Sequence, residues 1–525
     1  MGMSMPTAKF FFKDSIPSDL PHYIPLSLHL SISPSLRLFL ISLLIVVLPD
    51  AGFAQKKNQR PQLQPAARRE LAGKVILLPA DSRYLELKTL TQIADHYLVL
   101  PPSRLLTPKS EPAERIEWLK TQDLTGVTGI LVSLDASAAE IGPVLKQIRA
   151  QNSKPQIYGF VTLDSAVESS KQSCQAAMEM ISGNSLHFLL IGQDEDLTAK
   201  PAQIARARMM GEAALREIND KVGFASGQNS LAEVLLAKLL AQRFGRTPKI
   251  LPVFSSDEGS VSKDSSAAPL NQTIAAKTKL VGGTLLVQNP EAARQVDILL
   301  FVHTPQTTEE ERAGLTINLM RTVDSGARIA FLDLSETKQA KEAMLAELRK
   351  NKLLGKLMVY ASTPPGEPVR DVLNRGLSHA IIFFSSIKSL RDDIDRVHRI
   401  ERAQVNLLFS RVLEDWGYNL IVRPQLEEFV RQQLQGDASK LGDKTERAEK
   451  FAFDALQKLA TEMFDEQFRR NAHAILMNSG TRIQFRVSLL QQLQVRFPSQ
   501  TIADPEIRQI IHTFFDGYLS YGPVP

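Results

Sequence analysis

Acidic side chains follow three short apolar segments of the sequence, each at the point where the segment ends. Asp81 comes after KVILLP, Asp135 after VTGILVSL and Asp194 after LHFLLIG. If these segments are parallel strands, their carboxyl ends share one edge of a sheet, where ligands usually bind. Two carboxyl groups in one partly dry site can differ in pKa, so that one acts as general acid and the other as base or nucleophile. The spacing predicts a site of paired carboxylates, an arrangement that hydrolyses glycosidic bonds.

The three acidic residues also have structural interpretations. Asp81 precedes a helical pattern, so capping of that helix explains it without any function. Asp135 is the better candidate, because the capping box SAAE (137–140) already serves the helix that follows it. Asp194 lies in the acidic run DED, part of which water can solvate. We therefore treat Asp135, Asp194 and Asp81 as catalytic candidates.

Several other side chains are candidates for ligand binding: Arg83, Ser133, Gln193, His303 and Trp416. Arg83 would hold an anionic ligand or orient Asp81 by a charge-assisted hydrogen bond. His303 ends an apolar segment and would act as an acid or base, or would only bond to backbone. Trp416, in RVLEDWGYN, would stack on a sugar ring. Alternatively, Gly417 ends a helix in the left-handed conformation and the aromatic rings dock on the helical region.

Other catalytic and binding motifs are absent from the sequence. It contains no HExxH, GxSxG, GxxxxGK[ST] or GxGxxG pattern, and the histidines outside the leader are not closely paired. We therefore predict no metal site and no cofactor. The net charge of +5 is small for 525 residues, and the basic residues are scattered. This distribution does not indicate a nucleic-acid partner.

Residues 1–54 are predicted to be a secretory leader. Arg37 precedes an apolar stretch, 38–48, which is too short to span a bilayer but typical of a signal sequence, and small residues precede a cut after Ala54. We therefore expect export to the periplasm or the exterior, with no stable transmembrane span after cleavage. An uncleaved leader that anchors the chain in the membrane is the alternative. A cytoplasmic enzyme with a misread leader is a third possibility.

The rest of the sequence predicts an α/β protein. Residues 55–70 are polar and contain proline, which is typical of a flexible linker. Short apolar segments then alternate with helical patterns, as in parallel sheets that are buried on both faces. The segments are 74–79, 96–101, 127–134, 156–163, 186–192, 249–254, 297–303, 327–334, 356–361 and 379–385.

Ten segments exceed the eight strands of a closed barrel, so we predict mostly parallel sheets in two α/β units. The first unit would cover 71–245 and the second 246–385. One elaborated β/α barrel is the alternative. Residues 386–525 carry apolar side chains at helical spacing, which predicts a helical C-terminal region packed on the α/β body.

Five stretches occur in an order that resembles a known family: PADSR, SLD, GQDED, VFSSDEG and RVLEDWGYN. They are similar to the uncharacterised bacterial family catalogued as domain of unknown function four-one-two-seven, over about 74 to 515. The family's first motif reads like PLDxRP, which Asp81 and Arg83 match. Its second reads like SLDxxxYGG, which Ser133, Leu134 and Asp135 match. Its third carries a paired DD after Gln, which Gln193 and Asp194 match.

The sequence departs from these motifs at two places. Tyr84 stands where the family has proline, and ASAAEIG lacks the Tyr-Gly-Gly of the second motif. The resemblance implies that Asp81, Asp135 and Asp194 share one pocket, but it implies no known activity. The departures identify this chain as a divergent member that could bind a ligand without turning it over.

Together, these patterns predict an exported α/β protein with an acidic pocket at a strand edge. It would be a hydrolase that acts on a glycan or another cell-envelope polymer through paired carboxylates. The alternative is a non-catalytic envelope protein, with a binding or structural role, that has lost family motif residues.

Overall fold

A computed structural model describes most of the chain between Gly73 and Leu519, all within one compact unit, Glu70–Pro525. The predicted leader, 1–54, and the predicted linker, 55–70, lie outside the described residues. The described ranges are 73–78, 84–106, 111–135, 138–164, 167–193, 200–226, 230–255, 270–286, 295–305, 307–324, 328–335, 337–362, 369–469 and 471–519.

The first sheet is parallel and, in the described ranges, contains six strands in the order β2-β1-β3-β4-β5-β6. Its strands are β1 Gly73–Leu78, β2 His96–Val99, β3 Val127–Ser133, β4 Gln156–Leu163, β5 Phe188–Gln193 and β6 Val222–Ser226. The helices that follow them are α1 Tyr84–Ile93, α2 Pro112–Lys120, α3 Ala138–Gln151, α4 Glu168–Ser182, α5 Lys200–Leu215 and α6 Leu231–Phe244.

The second sheet is also parallel and repeats the strand order of the first. Within the described chain it has five strands in the order β11-β10-β9-β7-β8, which is the 2-1-3-4-5 order seen from its other edge. Its strands are β7 Lys249–Phe254, β8 Thr284–Leu285, β9 Ile298–His303, β10 Ile329–Asp333 and β11 Val359–Ser362. Its helices are α7 Leu270–Leu280, α8 Glu309–Asp324, α9 Lys338–Lys350 and α10 Val369–Ser389.

The C-terminal part is helical and ends in a small antiparallel sheet. Two π-helical segments, Leu413–Val422 and Phe464–Phe468, extend its helices. The helices are α11 Ile394–Val412, α12 Arg423–Gln432 and α13 Thr445–Met463, and the strands are β12 Ala472–Leu476, β13 Arg482–Arg496 and β14 Glu506–Leu519.

Apolar side chains join these elements into five layers. Helices α2 to α5 cover the outer face of the first sheet. Its inner face packs on α1 and α6, which meet α7 and α10 from the second sheet in one shared core. Helices α8 and α9 cover the outer face of the second sheet, together with the C-terminal helices and the antiparallel sheet. The two sheets therefore enclose a common layer of helices, in which α6 lies against α10.

The predicted fold class is confirmed, with two open parallel sheets rather than one barrel. The predicted segments overlap strands of these sheets, with one exception. The segment 379–385 was predicted as a strand and lies inside α10, so that prediction is wrong. A helix in a central layer is apolar on all sides, and a short window of it has the periodicity of a buried strand. The predicted domain boundaries stay predictions.

Strands were also missed. Strand β6, the two-residue β8 and the antiparallel sheet at the C-terminus were not predicted from the sequence. The predicted helical C-terminal region is confirmed over 394–468, and the small antiparallel sheet follows it. The signal for β13 was present, because Ile483, Phe485 and Val487 alternate with more exposed residues in the pattern of a half-buried strand.

Gly129 on β3 allows the close approach of α6 to the first sheet. A Cβ atom at this position would collide with the side chain of Leu239 on α6. Both residues belong to the inner side of the sheet, where displacement of one helix disturbs the whole central layer. A well-packed interior tolerates additional atoms poorly, because the neighbours cannot all move away.

We expect Gly129→Ala to lower the free energy of unfolding by about 1–3 kcal/mol through overpacking against α6. Chemical denaturation followed by circular dichroism measures the change. Gly211→Ala is the matched control, because an added methyl on α5 meets no atom within 4 Å and improves helix propensity. A Gly129→Ala protein as stable as the control would contradict the close approach.

Candidate functional site

The carboxyl edges of both sheets lie on the same side of the molecule. Ser230 stands at the start of α6, after the last strand of the first sheet, and Asp371 lies in the first turn of α10, after the edge strand of the second. The Ser230 hydroxyl donates to Asp371 Oδ1 over 2.7 Å, and Asn374 Nδ2 donates to Ser230 Oγ over 2.9 Å. Both residues are fully buried. Because the two helix starts touch, the strand ends that precede them share one side.

Each sheet has a topological switch point, where the strand order reverses direction. In the first sheet it lies between β1 and β3, and in the second between β7 and β9. Ligands of open parallel sheets bind outside the carboxyl ends at such points. Ser133 and Asp135 belong to the first switch point, and Ser255 and His303 belong to the second.

Asp135 has a structural role at the first switch point. Its Oδ1 atom accepts the backbone N–H of Thr162 over 2.5 Å, and its Oδ2 atom accepts the hydroxyl of Ser133 over 3.2 Å. The hydroxyl of Ser173 donates to the Asp135 carbonyl over 3.1 Å. Asp135 therefore joins the end of β3 to β4 and α4, a structural role that was not predicted from the sequence. Its side chain is nevertheless exposed and open to ligands.

The other candidates of the first sheet are only partly covered by the structure. Asp81, Arg83 and Asp194 lie outside the described residues, so their predicted roles stay predictions. Gln193 is buried at the end of β5, with 3% of its surface exposed. The predicted shared pocket of three aspartates therefore stays a prediction as well.

Trp416 lies in the core. Its side chain is 7% exposed, and the Arg349 guanidinium carbon lies 4.6 Å from its ring centroid. This burial matches the interpretation in which the ring docks on the helical region. The left-handed cap predicted at Gly417 is wrong, because this residue lies within the π-helical segment Leu413–Val422. The chain remains helical there because the residues around Gly417 bury their side chains against neighbouring helices.

The second switch point holds a buried histidine and aspartate. His303 ends β9 and lies opposite Asp333, which ends β10. The His303 Nδ1 atom is 2.9 Å from Asp333 Oδ1, and the two side chains are 1% and 0% exposed. The backbone N–H and hydroxyl of Ser335 donate to the same oxygen over 3.0 and 2.5 Å. An ionised Asp333 fixes the proton on Nδ1, which leaves Nε2 of His303 to accept a proton.

Three hydroxyl groups lie beside this pair. Ser255 Oγ is 3.2 Å from Thr304 Oγ1 and 2.5 Å from Thr307 Oγ1, and it accepts the Thr304 N–H over 3.1 Å. Ser255 directly follows β7, and Thr304 directly follows His303. The second switch point thus combines a histidine that can accept a proton with hydroxyl groups that can bond to a polar ligand.

Charged side chains fill the junction between the two sheets. We call Glu86, Glu233, Arg375 and Arg411 the interlayer cluster. Arg411 Nε donates to Glu86 Oε1 over 2.5 Å, and its guanidinium lies 3.8 Å from Glu233. Arg375 Nη2 is 3.4 Å from Glu86 Oε2. Arg375 and Arg411 are almost fully buried, so the ion pairs offset a large desolvation cost.

The interlayer cluster and Asp333 were not predicted from the sequence. Charged residues inside helical patterns normally face solvent, and nothing in a single sequence shows that α1, α10 and α11 meet. A weak signal exists at Glu233, which interrupts the apolar run LAEVLLAKLL. A charge within such a run is costly unless a partner lies nearby.

His379 extends the interlayer cluster along α10. Its Nδ1 atom accepts from Arg411 Nη1 over 3.0 Å, and its Nε2 atom donates to Gln404 Oε1 over 2.7 Å. Burial, together with the charge of Arg411, lowers the pKa of His379 to about 3. The ring is therefore neutral at physiological pH and acts as an acceptor for Arg411.

Asp415 reaches the same junction from the π-helical segment. Its side chain is 4% exposed. Burial raises the pKa of Asp415, whereas Arg375, Ser362 and Arg411 oppose this shift. Burial also raises the pKa of Tyr360 well above its usual range, and the charges of Asp333 and Asp415 add to that effect. The charges of Asp333, at the carboxyl edge of the second sheet, and of Asp415 therefore both raise the pKa of Tyr360.

Two further observations concern the whole described chain. No group of three or more His, Cys, Asp or Glu side chains in the described ranges is arranged to bind a metal ion. Among the helices of those ranges, none is both long and apolar enough to cross a membrane.

We expect Arg411→Met to destabilise the protein by about 3–5 kcal/mol, because Glu86 and Glu233 would lose a buried cation. Urea denaturation measures the loss. Arg431→Met is the control, since its partner Glu428 lies 3.6 Å away and both side chains are exposed, so a change within about 0.5 kcal/mol is expected. Equal effects of the two variants would contradict the role of the interlayer cluster.

We expect His379→Gln to change how stability depends on pH. The folded pKa of about 3 lies below the ordinary value of 6.5, so the contribution of His379 is present above pH 6.5 and is lost as the pH falls toward 3. The stability advantage of wild type over the variant should shrink by about 1.4 kcal/mol per pH unit below about pH 6. Denaturation curves across this range test it, and parallel pH profiles would refute it.

The sequence matches a described protein family. The family described as "Protein of unknown function (DUF4127)" matches residues 166–498, which is more than half of the chain. No curated protein matches the chain. A solved structure from Clostridium difficile 630, described as a transcriptional regulator, is 12% identical and covers 85% of this chain and 100% of its own, with a TM-score of 0.18. That score supports no argument about fold or function. The family match confirms the resemblance seen in the motifs, and the chain belongs to the family of proteins of unknown function DUF4127.

Proposed function

We propose that this protein is an exported hydrolase of a glycan or another cell-envelope polymer, with His303 as its general base. The contact that carries the proposal is the buried pair of His303 and Asp333, whose Nδ1 and Oδ1 atoms lie 2.9 Å apart at a topological switch point. A base oriented by a buried carboxylate is the arrangement that activates a nucleophile in many hydrolases.

The proton transfer follows from this geometry. A water molecule near Nε2 of His303 would give up a proton as its oxygen attacks the polymer linkage. The resulting imidazolium is stabilised by the charge of Asp333 and by the two hydrogen bonds that Ser335 donates to Asp333. General base catalysis of this kind contributes about 10²–10⁴-fold to the rate. The hydroxyls of Ser255, Thr304 and Thr307 are placed to bond to the substrate.

Export is supported by two sequence features of residues 1–54: the short apolar stretch, and the small residues Gly52 and Ala54 before the predicted cut. An exported hydrolase would lie next to the polymers of the cell envelope, which would be its nearest substrates. The first switch point would contribute to substrate binding through Asp135 and Ser133, with Asp81, Arg83 and Asp194 as the further candidates from the sequence.

A non-catalytic binding protein is the second candidate. It is favoured by the departures from the family motifs, with Tyr84 in place of proline and ASAAEIG without Tyr-Gly-Gly. In that case the exposed carboxylate of Asp135 would contact the polymer, and His303 and Asp333 would serve only to hold β9 against β10.

We expect His303→Gln to lower the rate of polymer cleavage at least about 100-fold, because no group remains to take the proton from water. The assay follows reducing ends released from purified cell-wall polysaccharide and peptidoglycan. His512→Gln is the control, because the His512 ring lies at the surface, where its Nε2 atom is 2.9 Å from Gln491 Oε1 on β13. Unchanged cleavage by His303→Gln would refute the proposed base, and polymer binding without cleavage by wild type would favour the second candidate.

A further inference from the structure

Four cationic side chains gather at the amino ends of the strands of the second sheet, at the edge opposite the switch point. Arg328 directly precedes β10, and Lys388 lies in the last turn of α10. Arg391 follows α10, and Arg246 lies between α6 and β7. We call these four residues the amino-edge cluster. Arg246 is exposed and the other three are half-buried, so solutes can reach the cluster from the surface.

The ring of Phe384 on α10 brings two of the cations together. The Arg328 guanidinium carbon lies 5.4 Å from the centre of this ring, and Lys388 Nζ lies 5.5 Å from it. Both contacts are cation–π interactions. Arg391 is three residues beyond Lys388, and its Nη1 atom donates to the Leu476 carbonyl over 2.8 Å. Three cations therefore occupy the end of α10 and the strand start beside it.

Arg246 belongs to the same place because α6 and α10 run side by side in the same direction. Their N-terminal ends meet through the serine–aspartate hydrogen bond described above. Further along, a Cβ atom on Gly282 would lie 2.8 Å from the side chain of Ala241 on α6. A Cβ atom on the next residue, Gly283, would lie 2.9 Å from the side chain of Ile381 on α10. The helices are still adjacent near their C-terminal ends, so Arg246 follows α6 beside the end of α10.

The positive charge of the amino-edge cluster exceeds the negative charge that faces it. Across the part of the chain that the structure describes, none of its four cations forms an ion pair, whereas both arginines of the interlayer cluster do. The carboxyl groups that act on it are Asp297 and Glu401. Asp297 accepts the backbone N–H of Lys249 over 3.0 Å. Burial raises the pKa of Glu401 to about 7, so this group is only partly ionised at neutral pH.

The cations also repel one another. Burial lowers the pKa of Lys388, and three neighbouring charges add to this effect: those of Arg328, Arg391 and Arg246. Asp297 opposes it. Half-buried like charges destabilise a fold unless an opposite charge lies among them, and a bound anion would supply that charge.

Helix ends explain only part of the amino-edge cluster. A cation near a helix C-terminus interacts favourably with the last carbonyl groups and with the helix dipole. This role accounts for Arg246, Lys388 and Arg391 one by one. It does not account for Arg328, which precedes a strand and contacts the same ring as Lys388.

We propose that the amino-edge cluster binds a phosphate group, either of a small soluble phosphate compound or of an anionic lipid headgroup. A guanidinium group can bond to two phosphate oxygens at once, and a lysine adds a compact point charge. The four cations occupy one place at the ends of two adjacent helices, so they fit one compact, multiply charged group. This site lies at the edge opposite His303 and does not depend on the proposed hydrolase activity.

The full chain with Lys388→Gln tests the site, with inorganic pyrophosphate as the probe in isothermal titration calorimetry. Wild type should bind pyrophosphate, and the variant should bind it about 10-fold more weakly or less, because one charge-assisted contact with the anion is lost. If this variant does not fold, Arg246→Gln should show the same loss, since Arg246 is exposed.

Lys350→Gln is the matched control. Lys350 lies in the last turn of α9, as Lys388 does in α10, but its side chain is 75% exposed and lies 4.0 Å from Glu347. The control should bind pyrophosphate as tightly as wild type. His303→Gln should also bind as tightly, which separates this site from the proposed hydrolase and leaves each refutable without the other.

Cosedimentation with vesicles distinguishes the two sources of the phosphate group. Vesicles of phosphatidylglycerol present it in an anionic headgroup, and vesicles of phosphatidylcholine carry no net charge. Binding to phosphatidylglycerol alone, lost in Lys388→Gln, would identify a lipid headgroup. Binding of pyrophosphate without binding to either vesicle would identify a soluble phosphate compound.

Two results would overturn the proposal. One is a wild type that binds neither pyrophosphate nor phosphatidylglycerol vesicles. The other is equal binding by wild type, Lys388→Gln and Arg246→Gln. In either case the cations serve only the helix ends, and the variants would lose thermal stability without any change in anion binding.

Discussion

The packing of α6 against α10 between two parallel sheets is the contact on which the rest of the structure depends. Both helices are buried on nearly all sides, so their polar side chains must bond to groups of the same layer. At their N-terminal ends Ser230, Asp371 and Asn374 bond to one another. This contact fixes the carboxyl edges of both sheets on one side. It thereby brings the interlayer cluster and the carboxyl edge of the second sheet into one region.

Much of the fold could be predicted from sequence, because strands buried on both faces give short apolar runs such as VTGILVSL. The same signal gave a wrong strand prediction at 379–385, because α10 is as apolar there as a buried strand. A window of seven residues does not reveal whether an apolar run belongs to a helix of 21 residues. The antiparallel sheet was missed for the opposite reason: β13 and β14 keep many polar residues in solvent and resemble amphipathic surface segments.

The candidate site was less predictable. Functional residues of parallel sheets lie at strand ends, and this rule identified Ser133, Asp135 and His303 as candidates. Asp333 was not predicted, because LDL has the composition of an ordinary strand end. The sequence also indicated that Asp135 does not cap a helix. It could not show that the backbone N–H of Thr162, on the next strand, donates to the Asp135 carboxylate. The roles of Arg375 and Arg411 could not be predicted, because they arise from contacts between helices that are far apart in sequence.

The shared central layer has a consequence for how the chain folds. Helix α6 is complete by Phe244, but its buried surface is covered in part by α10, which begins only at Val369. The first half of the chain therefore cannot complete its own core during synthesis. Part of the apolar surface of α6 stays exposed until α10 has been made. The two halves should fold as one cooperative body, and a chain truncated between them would be prone to aggregation.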